Sequence, residues 1–134
     1  MTTYVDSSAL AKLYVDEADS ALAAELVGVD PVLVTSMLSI VEVRRTLARN
    51  FSGINLVRCR ELFEADADAM ALINPTESTW RYAADIAEEL GVRSLDALHL
   101  ATAKRLGIPA LRFVTFDIKQ AQAARLLGLN VVGA

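Results

Sequence analysis

Ser94-Leu95-Asp96-Ala97-Leu98-His99-Leu100-Ala101-Thr102-Ala103-Lys104-Arg105-Leu106-Gly107-Ile108-Pro109-Ala110-Leu111-Arg112-Phe113-Val114-Thr115-Phe116-Asp117 joins a helical pattern to an extended one. The first half predicts a helix over Ser94–Leu106, with Ser94 as N-cap and Gly107 just past the C-terminus. Pro109 follows, as expected beyond a helix end. Leu111–Thr115 is a short apolar strand. Ile118 to Leu127 reads as a helix closed by Gly128, and Asn130–Val132 as a last strand. Strands that alternate with helices pair in parallel, and a parallel sheet is covered on both faces.

The same alternation extends upstream. Thr2–Asp6 favours β structure, and Ser7 to about Val15 reads as helix. About Asp19–Val27 is a second helix, and Val32–Thr35 is a buried strand after Pro31. Met37 to about Asn50 and Asn55–Asp68 are helices, Met70–Ile73 is a short strand, and Glu77–Leu90 is a helix stopped by Gly91. The expected architecture is a three-layer α/β/α domain around a parallel sheet of about five strands. One domain accounts for residues 1–134, and no repeat or linker divides it. Such sheets bind ligands beyond the carboxyl ends of their strands.

Composition excludes several classes. Apolar residues make up 54 % of the 134 residues, which marks a core-forming chain rather than a disordered one. No apolar run reaches the ~18 residues of a membrane span. The N-terminus lacks the pattern of a secretory signal, so a cytoplasmic protein is expected. Cys59 is the single cysteine, which leaves neither an intrachain disulfide nor a thiolate zinc site. The net charge of −4 argues against a simple electrostatic nucleic-acid binder. The charge is unevenly spread. Residues 42–60 hold five arginines and one acid, Glu42, and residues 90–134 hold six bases and two acids, Asp96 and Asp117.

Four carboxylates mark the candidate site. Asp6 ends the first strand, Glu42 lies early in the helix after the second, Asp96 in the first turn of the Ser94 helix, and Asp117 just after the fourth strand. Each has an ordinary local reading. Asp6 and Asp117 suit N-caps, Asp96 suits the helix dipole, and Ser39-Ile40-Val41-Glu42 matches a capping box. Together they point elsewhere, because strand ends and helix starts share one sheet edge. Two carboxylates about 5 Å apart repel by about 3 kcal/mol at an effective dielectric of 20. Convergence of four predicts raised pKa values or a bound cation, and an all-oxygen donor set favours Mg²⁺ or Mn²⁺ over zinc. A carboxylate-held Mg²⁺ suits phosphoryl chemistry.

These residues resemble a known family. Tyr4-Val5-Asp6-Ser7-Ser8-Ala9-Leu10-Ala11-Lys12-Leu13-Tyr14 looks like the opening motif of PIN-domain ribonucleases. Ser36-Met37-Leu38-Ser39-Ile40-Val41-Glu42-Val43, Arg93-Ser94-Leu95-Asp96-Ala97-Leu98-His99-Leu100-Ala101 and Val114-Thr115-Phe116-Asp117 resemble the second, third and fourth motifs. The match runs in order along nearly the whole chain, and it is nearest to the VapC toxins of bacterial toxin–antitoxin pairs. The resemblance implies a Mg²⁺- or Mn²⁺-dependent endoribonuclease, an RNA substrate, a VapB-type antitoxin as partner and a homodimer. It makes Asp6, Glu42, Asp96 and Asp117 the catalytic set. It implies Asp6 and Asp96 as the most direct metal ligands, with Glu42 and Asp117 acting partly through water.

Other readings compete. A non-catalytic RNA- or antitoxin-binding module of the same fold is one. A receiver domain is another, but it wants paired acids where this chain has Asp6-Ser7. A dehalogenase-type phosphatase wants Asp-x-Asp, and the third residue here is Ser8. No Gly-x-x-x-x-Gly-Lys loop is present. His99 reads as a hydrogen-bonded core histidine or as a partner of the acids. Arg44, Arg45 and Arg49 read as a solvated face or as contacts to RNA or an acidic antitoxin segment.

Overall fold

The computed structural model describes residues 1–134. Its elements in chain order are β1 (Thr2–Val5), α1 (Ser7–Ala11), α2 (Ser20–Val27), β2 (Val32–Ser36), α3 (Leu38–Asn50), α4 (Gly53–Asp68) and β3 (Ala71–Ile73). These are followed by α5 (Glu77–Leu90), α6 (Ser94–Arg105), β4 (Arg112–Thr115), α7 (Ile118–Leu126) and β5 (Asn130–Gly133). The five strands form one sheet in the order β3-β2-β1-β4-β5, and every neighbouring pair is parallel.

β1 is central, and Thr3, Tyr4 and Val5 are fully buried. The pleat sends alternate side chains to opposite faces, which splits the core in two. Tyr4 and Phe113 pack with α5, α6 and Ala123 and Ala124 of α7. Val5 and Val114 pack with α1, α3 and α4 on the other side. Tyr4 and Phe113 are partners in register across β1 and β4, and their rings stack at 5.4 Å and 5°. Such a pair contributes about 0.5–1.5 kcal/mol beyond its buried area. At the sheet edge opposite to the acids, Thr3 Oγ1 donates to Asp30 at 2.7 Å. Arg112 donates to Thr3 and to the Leu26 carbonyl, which ties the end of α2 to the sheet.

Two helix starts differ from expectation. The N-cap position of α6 is Arg93, and Ser94 is the first helical residue without a side-chain cap bond. α3 starts at Leu38, so Ser39 lies inside it. The Ser39 hydroxyl pairs with Thr35 Oγ1 at 2.6 Å instead of closing a box with Glu42. α1 is also shorter than the apolar pattern suggested, because turns occupy Lys12–Tyr14.

Candidate active site

The strand ends and the helices that leave them place the four acids along one edge. Asp6 follows β1 directly and caps α1: its Oδ1 accepts from the Ala9 N–H at 2.8 Å and from the Ser8 hydroxyl at 2.9 Å. Its Oδ2 accepts from Thr115 Oγ1 at 2.6 Å. Asp117 caps α7, with Oδ1 accepting from the Gln120 N–H at 2.9 Å. The Thr115 hydroxyl therefore joins these two acids, since it also accepts from the Asp117 N–H at 3.2 Å. Capping and site membership coexist here: one oxygen of each carboxylate holds its helix, while the other meets Thr115 in Asp6 and lies toward Arg93 in Asp117.

Glu42 stands in the second turn of α3. Its Oε1 lies 2.8 Å from His99 Nε2, and His99 Nδ1 lies 2.8 Å from the Tyr4 hydroxyl. Burial, and secondarily the charges of Asp6 and Glu42, drive the Tyr4 hydroxyl far up, so it keeps its proton. Tyr4 and Glu42 thus hold the two ring nitrogens of His99 from opposite ends. Burial pushes the Glu42 carboxyl up, but the His99 hydrogen bond and charge and the Ser7 hydroxyl outweigh it. The net effect holds Glu42 below its ordinary range.

Asp6 is almost fully buried. That burial raises its carboxyl above the ordinary range against the pull of Thr115, the Ala9 N–H, His99 and Ser8. Asp96, in the first turn of α6, is half-buried. Burial and then the charge of Asp117 push its carboxyl up, Arg93 and His99 pull it down, and Glu42 adds a push. Arg93 is the local counter-charge. Its guanidinium lies 3.5 Å from Asp96 Oδ2 and 3.9 Å from Asp117 Oδ2, on a side chain that is 83 % exposed. Gln120 Nε2 donates to the Asp96 carbonyl at 3.4 Å and ties α7 to the start of α6.

One part of the sequence expectation is corrected. The acids share an edge, but no group of three or more His, Cys, Asp or Glu side chains stands in metal-holding geometry. Their repulsion is relieved by separate partners: N–H and hydroxyl donors on Asp6, His99 on Glu42, and Arg93 between Asp96 and Asp117. The chemistry of the donor set still fits a hard divalent cation. All four donors are carboxylate oxygens, and Asp96 feels the like charges of Asp117 and Glu42.

A cleft of about 480 Å³ opens beside Glu42, bounded by Ser7, Ser8, Arg45, Arg49 and Arg93. A second cavity of similar size, about 490 Å³, is lined by Tyr14, Val27 and Asp66 and includes none of the four acids. Size alone does not locate the chemistry; the carboxylates do. Sequence reading left two participants out of their roles. Tyr4 orients His99, and Arg93 neutralises two acids at once. Each carried a signal: a tyrosine in a strand buried on both faces needs a hydroxyl partner, and Arg93 precedes Asp96 by one helical turn.

Comparisons with known proteins identify the family. Residues 3–126 match the model of the PIN domain family. Ribonuclease VapC46 of Mycobacterium tuberculosis is 33 % identical over 129 residues, covering 96 % of this chain and 95 % of that protein. Ribonuclease VapC45 of the same species is 31 % identical, covering 98 % and 94 %. Among solved structures, Mycobacterium tuberculosis VapC20, titled a sarcin-ricin loop cleaving toxin, superposes with a TM-score of 0.74 at 21 % identity, covering 90 % of this chain and 94 % of that one. A toxin–antitoxin complex from Klebsiella pneumoniae gives 0.74 at 18 % identity, covering 97 % and 95 %. The structural neighbours share the fold, and the family model and the sequence relatives carry the assignment: this chain belongs to the PIN-domain family.

Proposed function

We propose that this chain, as one PIN unit over residues 1–134, is a metal-dependent endoribonuclease and the toxin of a type II toxin–antitoxin pair. The curated relatives are named ribonucleases, and several fold neighbours come from toxin–antitoxin complexes. One observation of the molecule carries the reading. Burial, then the charges of Asp117 and Glu42, push the Asp96 carboxyl up at the carboxyl edge of a parallel sheet, against Arg93 and His99. That edge has a surplus of negative charge where such sheets bind ligands.

Asp6 and Asp96 would hold Mg²⁺ or Mn²⁺ directly, with Glu42 and Asp117 contributing through water. When bound, the ion activates water and stabilises charge on phosphate oxygens. The chain's own groups set the stage. Thr115 orients Asp6, and the two N-cap bonds fix Asp6 and Asp117 against their helices. His99 holds Oε1 of an ionised Glu42, which leaves Oε2 to orient the attacking water. The water oxygen attacks phosphorus in line and the P–O3′ bond breaks. The products are a 5′-phosphate and a 3′-hydroxyl. The partners are a VapB-type antitoxin and a second copy of the chain. The setting is the cytoplasm, and no helix is long and apolar enough to cross a membrane.

Cleavage of mixed RNA is expected with Mg²⁺ or Mn²⁺ and not with EDTA. Asp6→Asn and Asp96→Asn are each expected to lose it. Full activity in either variant removes that residue from the mechanism. Binding of RNA or antitoxin without any metal-dependent cleavage assigns the chain to a non-catalytic module.

A further inference from the structure

We propose that the face of α3 bearing Arg45 and Arg49 is a phosphate track that holds the RNA strand leading away from the carboxylates. The proposal rests on the ribonuclease reading above and extends it to named substrate contacts. Glu42, Arg45, Thr46 and Arg49 are spaced i, i+3, i+4 and i+7, which places them on one stripe of the helix. All four line the cleft of about 480 Å³ that opens at Glu42, and Arg93 stands on its far wall. At 1.5 Å per residue, Arg45 and Arg49 sit about 4.5 and 10.5 Å along the axis from Glu42. The stripe therefore starts at the acids and runs outward.

The two guanidiniums are unengaged. Arg44, one position away on another face, pairs with Glu64 at 3.7 Å, whereas Arg45 and Arg49 form no ion pair or side-chain hydrogen bond. Arginine forks match phosphate oxygens in bidentate geometry. The walls suit RNA better than an acidic peptide. Val41 and Leu95 line the same cleft with exposed apolar side chains, which offer contact to ribose and base faces beside the charged stripe. The track is basic in a chain of net charge −4, so the field is local and directs the strand toward the edge.

The test uses the full chain carrying Asp96→Asn, which is expected to bind without cleaving, and a short fluorescein-labelled single-stranded RNA of mixed sequence. Anisotropy is followed across a salt series. Arg45→Ala and Arg49→Ala are each expected to weaken binding several-fold, and the pair roughly tenfold or more at low salt. Each loss is expected to flatten the slope of log affinity against log salt by about 0.7. Arg44→Ala is expected to leave affinity and slope unchanged. The Arg45→Gln, Arg49→Gln pair keeps the side-chain stems and is expected to behave like the alanine pair. In the cleaving chain, KM is expected to rise more than kcat falls.

Wild-type affinity and slope in the double variant overturn the track, even if wild-type cleavage is metal-dependent. Unchanged RNA binding with lost binding of polyglutamate assigns the face to an acidic protein and also overturns it. If the wild-type chain cleaves no RNA but the double variant still loses affinity and slope, the track stands and the nuclease reading falls.

Discussion

Glu42 Oε1 and His99 Nε2 are 2.8 Å apart across 57 residues of chain, and the imidazole reaches Tyr4 with its other nitrogen. The bond joins α3 to α6 beneath the edge that carries the acids. Tyr4, whose buried hydroxyl keeps its proton, fixes the ring from its other side. Removing the ring strands two partners at once. His99→Ala is expected to cost roughly 3 kcal/mol through the unpaired Tyr4 hydroxyl, the freed Glu42 and the space left behind. Urea unfolding checks this, and an unchanged midpoint would show that the bond contributes nothing to stability.

Asp6 sits in tension between folding and chemistry. Burial raises its carboxyl, so the folded chain holds this proton more tightly than the unfolded chain does. The stability linked to this group is complete below the unfolded carboxylate range and is lost as pH rises through the folded value. At neutral pH the ionised group is therefore a burden in the metal-free protein. Asp6→Asn keeps an oxygen for the Ala9 cap and removes the charge. It is expected to abolish cleavage and raise Tm by roughly 2–5 °C at pH 7.5. The gain should shrink as pH falls. Differential scanning fluorimetry across pH decides the matter, and a lower Tm at neutral pH would contradict the argument.

Arg93 tunes Asp96. Its positive charge opposes burial and the charge of Asp117, both of which push the Asp96 carboxyl up. In Arg93→Gln that opposition is gone and the carboxyl rises further. If cleavage needs ionised Asp96, the acid limb of kcat/KM moves toward higher pH. The guanidinium is exposed, so the shift is largest at low ionic strength and fades with salt. Overlapping profiles of wild type and variant in dilute buffer would remove Arg93 from this role.

Gly133 protects the position of Thr115. The two are register partners across β4 and β5, and a Cβ on Gly133 would meet the Thr115 carbonyl oxygen at 2.4 Å. The backbone there also has φ +109°, outside the range of ordinary side chains. Gly133→Ala is expected to cost at least about 2 kcal/mol and to displace Thr115 from Asp6, lowering cleavage with it. Gly53→Ala is the control: φ is +57° there and the space is open, so about 1 kcal/mol is expected. Thermal unfolding of the two variants, with cleavage assays alongside, tests the difference.

The fold was legible because its signals are local. Glu77–Leu90 matches the observed α5, since its apolar stripe and the Gly91 stop at φ +68° depend on nearby residues alone. The four acids were legible by position, as each follows a strand or lies within the first two turns of a helix. What stayed hidden depends on distant partners. Ser39 fits the spacing of a capping box, yet Thr35 captures its hydroxyl because β2 ends directly below α3. The pairings of Asp6 with Thr115 and of Tyr4 with His99 span 109 and 95 residues. No periodicity records them. The donors on Asp6 and Glu42, and the one arginine shared by Asp96 and Asp117, were likewise out of view.

The central place of β1 has a consequence for synthesis. Its partners are β2, made early, and β4, whose residues begin at position 112. A chain emerging from the ribosome thus carries Asp6, Glu42 and Asp96 before Thr115 exists to orient the first of them or Asp117 to complete the edge. The acidic edge is therefore completed only by the last stretch of chain to be made, from β4 onward.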